Sequence, residues 1–292
     1  MSLILGLFLS QGQPLLAARP FLLRTDPTQA TSSAAAREEA IQSIPFDRLD
    51  AAGRAKVTAV LDNTTVYRRM PTRVVCTDPD LYLFLVRHPD VIVNVWEALG
   101  VSQLQLRQAG PASFRVTEKE GTSATLQFLY RARDMHVIYG DWNYTGALMN
   151  RPVTGRCLAI LKTGYLRESD GRCYVTSRLD AFLSVEPGGI EVLAKIFHPL
   201  VAKTADANFT QTVAFVGSLS RTAEVNSRGV QRLATKLTHI SPEVRQQFAE
   251  ITANIKPKLT ATMAESEAEA EAEAEASDLP RLAVRQDDGG TR

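Results

Sequence analysis

Long apolar runs, cysteine and net charge are all scarce in this chain of 292 residues. No apolar stretch reaches the roughly 18 residues that a membrane-spanning helix needs, so the sequence predicts no transmembrane span. Three cysteines are too few for a disulfide-dense mini-protein. Hydrophobic residues make up 45% and charged residues 22%, which excludes a chain disordered throughout and a collagen-like repeat. The chain is long enough for one large globular domain or two modest ones.

The motifs that mark common enzyme and cofactor sites are also missing. The four histidines form no H-x-x-x-H or H-E-x-x-H frame, and the cysteines form no C-x-x-C pair. The chain has no G-x-G-x-x-G, no G-x-x-x-x-G-K-[ST] and no G-x-S-x-G sequence. The sequence therefore predicts no metal, no cofactor and no catalytic residue, and it favours a protein that is not an enzyme.

The net charge of +1 conceals two regions of opposite sign. Residues 264–292 carry six Glu and three Asp against three Arg, a charge of −6; the remaining residues carry 30 basic and 23 acidic side chains, a charge of +7. Glu265–Ala276 alternates Glu with Ser or Ala and has no apolar face, so residues 257–292 are predicted to form a disordered acidic tail that offers a surface to a protein partner. No basic run with interleaved aromatics is present, so nucleic acid is not expected as a partner.

The first residues resemble a secretory signal. Leu3–Leu9 is a short apolar run and Leu15–Ala18 ends in small residues, although no Lys or Arg precedes the apolar run. We expect a signal peptide at residues 1–18 and a secreted, periplasmic or cell-envelope protein; a retained tail on a cytoplasmic protein is the alternative. Residues 19–49, which include the Ala- and Ser-rich stretch Ala30–Ala36, are expected to be flexible.

Helix signals precede the central region. Asp50 is a candidate N-cap, Pro71 suggests a strand edge or bulge, and Gly100 is a candidate helix C-cap. The predicted elements are a helix at Asp50–Leu61, an extended stretch at Thr64–Val75, and short helices at Asp78–Val86 and Asp90–Leu99.

Short β-like runs fill the middle of the chain. Turn chemistry at Gly110-Pro111, Glu120-Gly121 and Asp170-Gly171 separates them. Polar and apolar residues alternate in the last run, which is typical of an antiparallel strand with one buried face. Strands are predicted at Gln103–Arg107, Ser113–Thr117, Ala124–Arg131, Asp134–Trp142, Gly155–Leu166 and Arg172–Val185.

Apolar residues on a helical period dominate the part after the strands. Pro199 is expected to kink the first and longest helix, because proline lacks a backbone donor. These helices are predicted at Ile190–Ser220, Val225–Leu237 and Pro242–Ile255. The expected divisions are a main domain at 50–220 and a helical C-terminal extension at 221–256.

The order of elements between Thr64 and Ser220 resembles the helix-grip fold of the START and polyketide-cyclase-like superfamily. The resemblance rests on this order, on the paired short helices and on Pro187-Gly188-Gly189 before the long helix. It implies an α+β fold in which a curved antiparallel sheet wraps a long C-terminal helix, with a cavity between them and extra helices at both ends. A generic α+β sandwich and a nuclear-transport-factor-like cone are the alternatives.

A two-residue loop at Ala132-Arg133 predicts which side chains line such a cavity. It places Phe128, Tyr130, Tyr139 and Asp141 on the inner face and His136 on the outer face. His88 precedes a proline and is expected to end a helix and bond a nearby carbonyl. The candidate ligand-binding residues are Phe128, Tyr130, Tyr139, Asp141, Trp142, Leu193 and Phe197; the alternative for each is a packed core.

Three functions are compatible with these patterns. The first is non-enzymatic binding of a lipophilic small molecule or lipid in the cavity, with the loop Gly146–Gly155 as its lid. The second is a structural or interaction protein with a filled core, which docks through its C-terminal helices and acidic tail. The third and least favoured is a cyclase- or hydrolase-like enzyme with a buried Asp141 as its base.

The cysteines are expected to be free thiols. If the last two strands form a hairpin around residues 167–171, Cys157 faces Ala181 and Cys173 faces Tyr165. Cys157 and Cys173 are then about 26 Å apart at roughly 3.3 Å per residue. A disulfide needs Cα atoms within about 7 Å.

Overall fold

The computed structural model describes residues 26–119, 121–145, 152–186 and 199–255. The predicted signal peptide, the start of the long helix with Leu193 and Phe197, most of the lid loop and the acidic tail lie outside these ranges. No helix within them is long and apolar enough to span a membrane.

Seven α-helices and eight strands occupy the described ranges. Every predicted strand after residue 100 is found within three residues of its expected ends. The helices are α1 (Ala34–Gln42), α2 (Ala51–Asp62), α3 (Pro79–Arg87), α4 (Pro89–Ala98), α5 (Pro199–Val225), α6 (Ser227–Ala234) and α7 (Pro242–Ala253). The strands are β1 (Val66–Arg69), β2 (Arg73–Cys76), β3 (Gln105–Gly110), β4 (Ser113–Thr117), β5 (Thr122–Arg131), β6 (Met135–Tyr144), β7 (Val153–Arg167) and β8 (Cys173–Val185).

All eight strands belong to one antiparallel sheet. Its order is β1-β8-β7-β6-β5-β4-β3, and β2 also pairs with β8. Strands β1 and β2 pair with different halves of the 13-residue β8. Pro71 lies between them, because proline cannot donate to the ladder and interrupts an edge strand. The sheet with the long helix α5 confirms the predicted α+β helix-grip architecture.

Polar caps set the helix boundaries that the sequence indicated. The Asp50 carboxylate accepts from the Gly53 N–H, and the Asp78 carboxylate accepts from two N–H groups of α3. Gly100 follows α4 with a φ of 70°, a left-handed conformation that glycine adopts without strain. These caps satisfy backbone groups that a helix end leaves without partners.

Both faces of the sheet are covered by helices. On one side, which we call the inner face, side chains of the sheet pack against α4 and α5. On the other side, the outer face, they pack against α1 and α2. Helices α6 and α7 share a second apolar cluster with α3, α4 and α5, in which Phe248 stacks on Phe84 at 6.2 Å between ring centroids.

The expectation of a flexible segment up to residue 49 is wrong for α1. Ser33 caps this helix, and Ala36 and Ala40 are buried on the outer face of the sheet. The alanines that suggested a spacer are strong helix formers, and their small side chains let the helix backbone approach the sheet closely. Composition alone does not distinguish these two uses of alanine.

The predicted register of β5 and β6 is also wrong. Phe128 pairs with Ile138 rather than Val137, and a β-bulge before Tyr130 brings that residue opposite Val137. Because side chains alternate along a strand, an odd shift moves residues to the other face. Tyr130, Val137 and Tyr139 therefore pack on the outer face, and Phe128 packs on the inner one.

A buried ion-pair network joins β1, β8 and α1. Asp180 is fully buried and accepts hydrogen bonds from the Tyr67 hydroxyl at 2.6 Å and from Arg69 Nε at 2.7 Å. Burial, and next the hydrogen bond to Asp180, raise the pKa of Tyr67 well above its usual value, so the phenol remains a donor. Arg69 also pairs with Glu39 of α1 at 2.7 Å.

We expect Asp180→Ala to lower the free energy of unfolding by about 3–5 kcal/mol, since it leaves a buried guanidinium and phenol without their acceptor. Urea unfolding at pH 7 measures this loss. Asp170→Ala is the control, because Asp170 pairs with Arg172 at the surface and should cost about 1 kcal/mol or less. Equal losses for the two variants would contradict a dominant role of Asp180.

Candidate functional site

The structure divides the predicted ligand-binding residues between the two faces of the sheet. Phe128 and Trp142 lie in the inner apolar cluster. Tyr130 and Tyr139 lie in the outer one, against α1 and α2. Leu193 and Phe197 are not among the described residues. The structure therefore does not gather the predicted residues into one cavity.

Asp141 does not meet the condition for a buried general base. Its side chain is 61% exposed and lies 3.8 Å from Arg156. It accepts a hydrogen bond of 2.6 Å from the Tyr139 hydroxyl. Burial, and then this bond, raise the pKa of Tyr139. The buried Tyr139 thus places its hydroxyl against the exposed Asp141 carboxylate on the outer side of β6.

The inner face carries a continuous apolar layer. Phe128 and Trp142 are buried within it, and Phe209 of α5 packs against it. The ring N–H of Trp142 is buried and has no hydrogen-bond partner in the described part of the chain. The other buried members are Met70, Val93, Leu106, Phe114, Val116, Ala124, Val153, Ala181, Leu183, Val185 and Ala205.

A group of basic side chains lies beside this apolar layer, near the β5–β6 hairpin. It consists of Arg87 and His88 at the α3–α4 junction, Arg131 at the end of β5, and His136 in β6; we call it the basic cluster. His136 is fully buried on the inner face, against the expectation that it would point outward. Its ring lies 6.0 Å from that of Phe128, centroid to centroid. The register shift at the β-bulge is the reason for this reversal.

The described part of the chain offers these groups few polar partners. Neither ring nitrogen of His136 is hydrogen-bonded, and the same holds for the buried His88 Nδ1 and Arg87 Nε. His88 does end α3 as expected, and its backbone N–H donates to the Phe84 carbonyl at 2.8 Å. The sequence predicted a hydrogen bond between the His88 ring and a nearby carbonyl, and Nδ1 does not make one. A buried polar group without a partner costs free energy, so such a group is a natural candidate for ligand contact.

Burial and the charges of the two arginines keep both imidazoles neutral. Burial, followed by the charges of Arg87 and Arg131, lowers the pKa of His136 to about 4, and Asp134 opposes this shift. Burial, followed by Arg131 and Arg87, also lowers the pKa of His88. At neutral pH the cluster therefore presents two guanidinium cations beside two neutral rings, each with one N–H donor and one acceptor.

Asp90, two residues after His88 in the chain, carries a buried carboxyl group. Asp90 is fully buried in the first turn of α4. Burial raises its pKa to about 6, and backbone N–H groups of the helix start and the charge of Arg107 oppose that rise. Neither histidine of the basic cluster takes its pKa shift from Asp90. The cation that lowers the pKa of Asp90 is Arg107, which is not a member of the basic cluster.

Cys157 and Cys173 are free, as predicted, and so is the exposed Cys76. Cys157 pairs with Leu183 in the ladder, and Cys173 pairs with Arg167. Burial raises the pKa of the Cys157 thiol to about 12, so it is protonated at neutral pH and a poor nucleophile.

Two grooves border α5. One of about 450 Å³ lies between α4, α5 and α6 and is lined mainly by apolar side chains. The other, of about 620 Å³, lies between β2 and α5. Neither includes a member of the basic cluster.

Comparison with known family models finds no match, and comparison with curated proteins finds none. Among solved structures, the chain is similar to the Mll3558 protein from Rhizobium loti, with 13% identity over 48% of this chain and 96% of that one and a TM-score of 0.28. It is similar to norcoclaurine synthase from Thalictrum flavum, with 11% identity over 52% and 90% and a TM-score of 0.27. It is also similar to the di-domain ARO/CYC StfQ of the steffimycin biosynthetic pathway, with 14% identity over 66% and 53% and a TM-score of 0.27.

Asp90→Asn should raise the free energy of unfolding at pH 7 by roughly 1–3 kcal/mol, and by less at pH 4.5. The folded state holds the Asp90 proton more tightly than the unfolded state, so burial of this carboxyl costs free energy above about pH 6 and ceases to cost it below about pH 4. Urea unfolding at the two pH values tests this. Asp80→Asn is the matched control, because Asp80 follows a proline in the first turn of α3 but is 78% exposed. A loss of stability at pH 7 for Asp90→Asn would contradict the conclusion that burial of the charged Asp90 carboxylate costs free energy.

Proposed function

We propose that this protein binds a lipophilic small molecule, without chemical conversion, between the inner face of the sheet and α5. The observation that carries the proposal is His136, a fully buried polar ring without hydrogen-bond partners inside an otherwise apolar layer. A site for a lipophilic molecule combines an apolar lining with a few placed polar groups. The inner face supplies both, whereas the outer face is closed by α1 and α2.

The outer-face residues have no part in this site. The proposed site does not include Tyr130, Tyr139 or Asp141, and it includes Phe128 and Trp142. The C-terminal helices α6 and α7 bury their apolar sides against α3 and α5. They therefore support the packing of α5 over the inner face.

We expect Ile138→Trp to abolish uptake of the neutral fluorescent probe anilinonaphthalene. Ile138 is only partly buried on the inner face, beside Phe128, so an indole there occupies the space of a ligand. Fluorescence titration measures the uptake. Met135→Trp is the matched control, because Met135 is also partly buried in β6 but on the outer face. If both variants fold as the wild type and bind the probe equally well, the ligand site does not lie on the inner face.

Native mass spectrometry of the protein purified from its own host, followed by solvent extraction, should release a lipophilic species. We propose an envelope location on the basis of the N-terminal sequence, so the same spectrum should lack the first 17 or 18 residues. A chain that keeps Met1 would contradict export. A protein free of extractable molecules that also takes up none from a lipid extract would favour the interaction protein.

A further inference from the structure

We propose that the basic cluster binds the carboxylate of a lipophilic acid, whose apolar part lies along the inner face. This inference rests on the proposed function and adds the chemical class of the ligand. The members of the basic cluster come from two separate parts of the chain: the α3–α4 junction supplies Arg87 and His88, and the β5–β6 hairpin supplies Arg131 and His136.

Arg87 and Arg131 have no acidic partner in the described part of the chain, unlike Arg68 and Arg107. Arg68 makes a two-pronged pair with Asp206, and Arg107 makes one with Glu97. In contrast, Arg87 and Arg131 form neither a hydrogen bond nor an ion pair with any residue that the structure describes. A guanidinium is charged at all accessible pH values and fits a carboxylate through two parallel hydrogen bonds.

The two imidazoles add neutral donors at the same place. His136 is fully buried and both of its ring nitrogens lack partners, as does His88 Nδ1. A neutral imidazole donates one N–H, so each ring is able to bond a carboxylate oxygen without a proton being taken up. Their neutrality at pH 7 agrees with the lowering of both pKa values by burial and by Arg87 and Arg131.

The acidic groups near the basic cluster do not neutralise the charges of Arg87 and Arg131. Asp134 is exposed in the hairpin turn, and its charge reaches His136. Asp80 lies 3.7 Å from Arg133, whose guanidinium lies over the ring of Tyr165. Two guanidinium groups near a single exposed acid favour an anion over a cation, so a metal ion is a poor fit despite the two imidazoles.

Aromatic contacts connect the basic cluster to the apolar layer. The Arg131 guanidinium carbon lies 5.7 Å from the ring centroid of Phe128, and His136 packs edge-on against the same ring. Phe128 belongs to the inner apolar layer. Arg131 is exposed while His136 is fully buried, so the cluster extends from the surface into that layer. A ligand with one charged end and an apolar body matches this gradient.

The test compares dodecanoate with dodecanol, which have the same alkyl chain and differ in the charged group. Displacement of anilinonaphthalene at pH 7.5 should show that the wild-type protein binds dodecanoate about tenfold more tightly than dodecanol, or better. Arg87→Gln and Arg131→Gln should each reduce this preference several-fold and leave dodecanol affinity unchanged. His136→Phe should reduce it as well, and His136→Gln should restore part of it, because glutamine keeps a donor.

Arg133→Gln is the matched control, since Arg133 lies in the same hairpin but pairs with Asp80. Its preference for dodecanoate should equal that of the wild type. Equal affinities of the wild type for acid and alcohol, unchanged in the arginine variants, would overturn the carboxylate assignment and leave the proposed function intact. Failure of both compounds and of the neutral probe to bind would overturn the proposed function itself.

Discussion

Side chains alternate between the two faces of a β-strand, and in this sheet both faces are covered by helices. This alternation therefore determines the surroundings of each side chain in the sheet. Each side chain of a central strand must enter either the layer under α5 or the layer under α1 and α2. No face is left to water along most of β7 and β8, so a residue placed on the wrong side would meet a different set of neighbours. The pairing register, more than the local composition, therefore decides which residues meet a ligand.

This dependence explains what the sequence could predict. The predicted hairpin of β7 and β8 placed Cys157 opposite Ala181, and the structure places it opposite Leu183. An error of two residues keeps every side chain on its expected face. The predicted pairing of β5 with β6 differs from the observed one by one residue at Phe128, which is an odd number and reverses the faces. A bulge near Leu129 adds this residue, and no turn or periodicity signal in the sequence marks it. Strand positions were thus predictable, whereas the orientation of His136 and Tyr139 was not.

The candidate site was harder to predict than the fold for the same reason. Phe128 was assigned to the inner face from a register that proved wrong by one residue, and it lies on that face all the same. The basic cluster was missed because it forms only when a helix junction meets a hairpin more than 40 positions away in the chain. His88 and His136 have no motif spacing, and their lack of partners is visible only once their surroundings are known.

Gly217 sets the distance between α5 and the sheet at β2. A β-carbon at this position would lie 2.2 Å from Val75, so α5 rests directly on β2 there. Any larger side chain at position 217 would push the helix away from the strand. The absence of a side chain at this one position therefore fixes how closely the helix layer and the sheet can approach each other at β2.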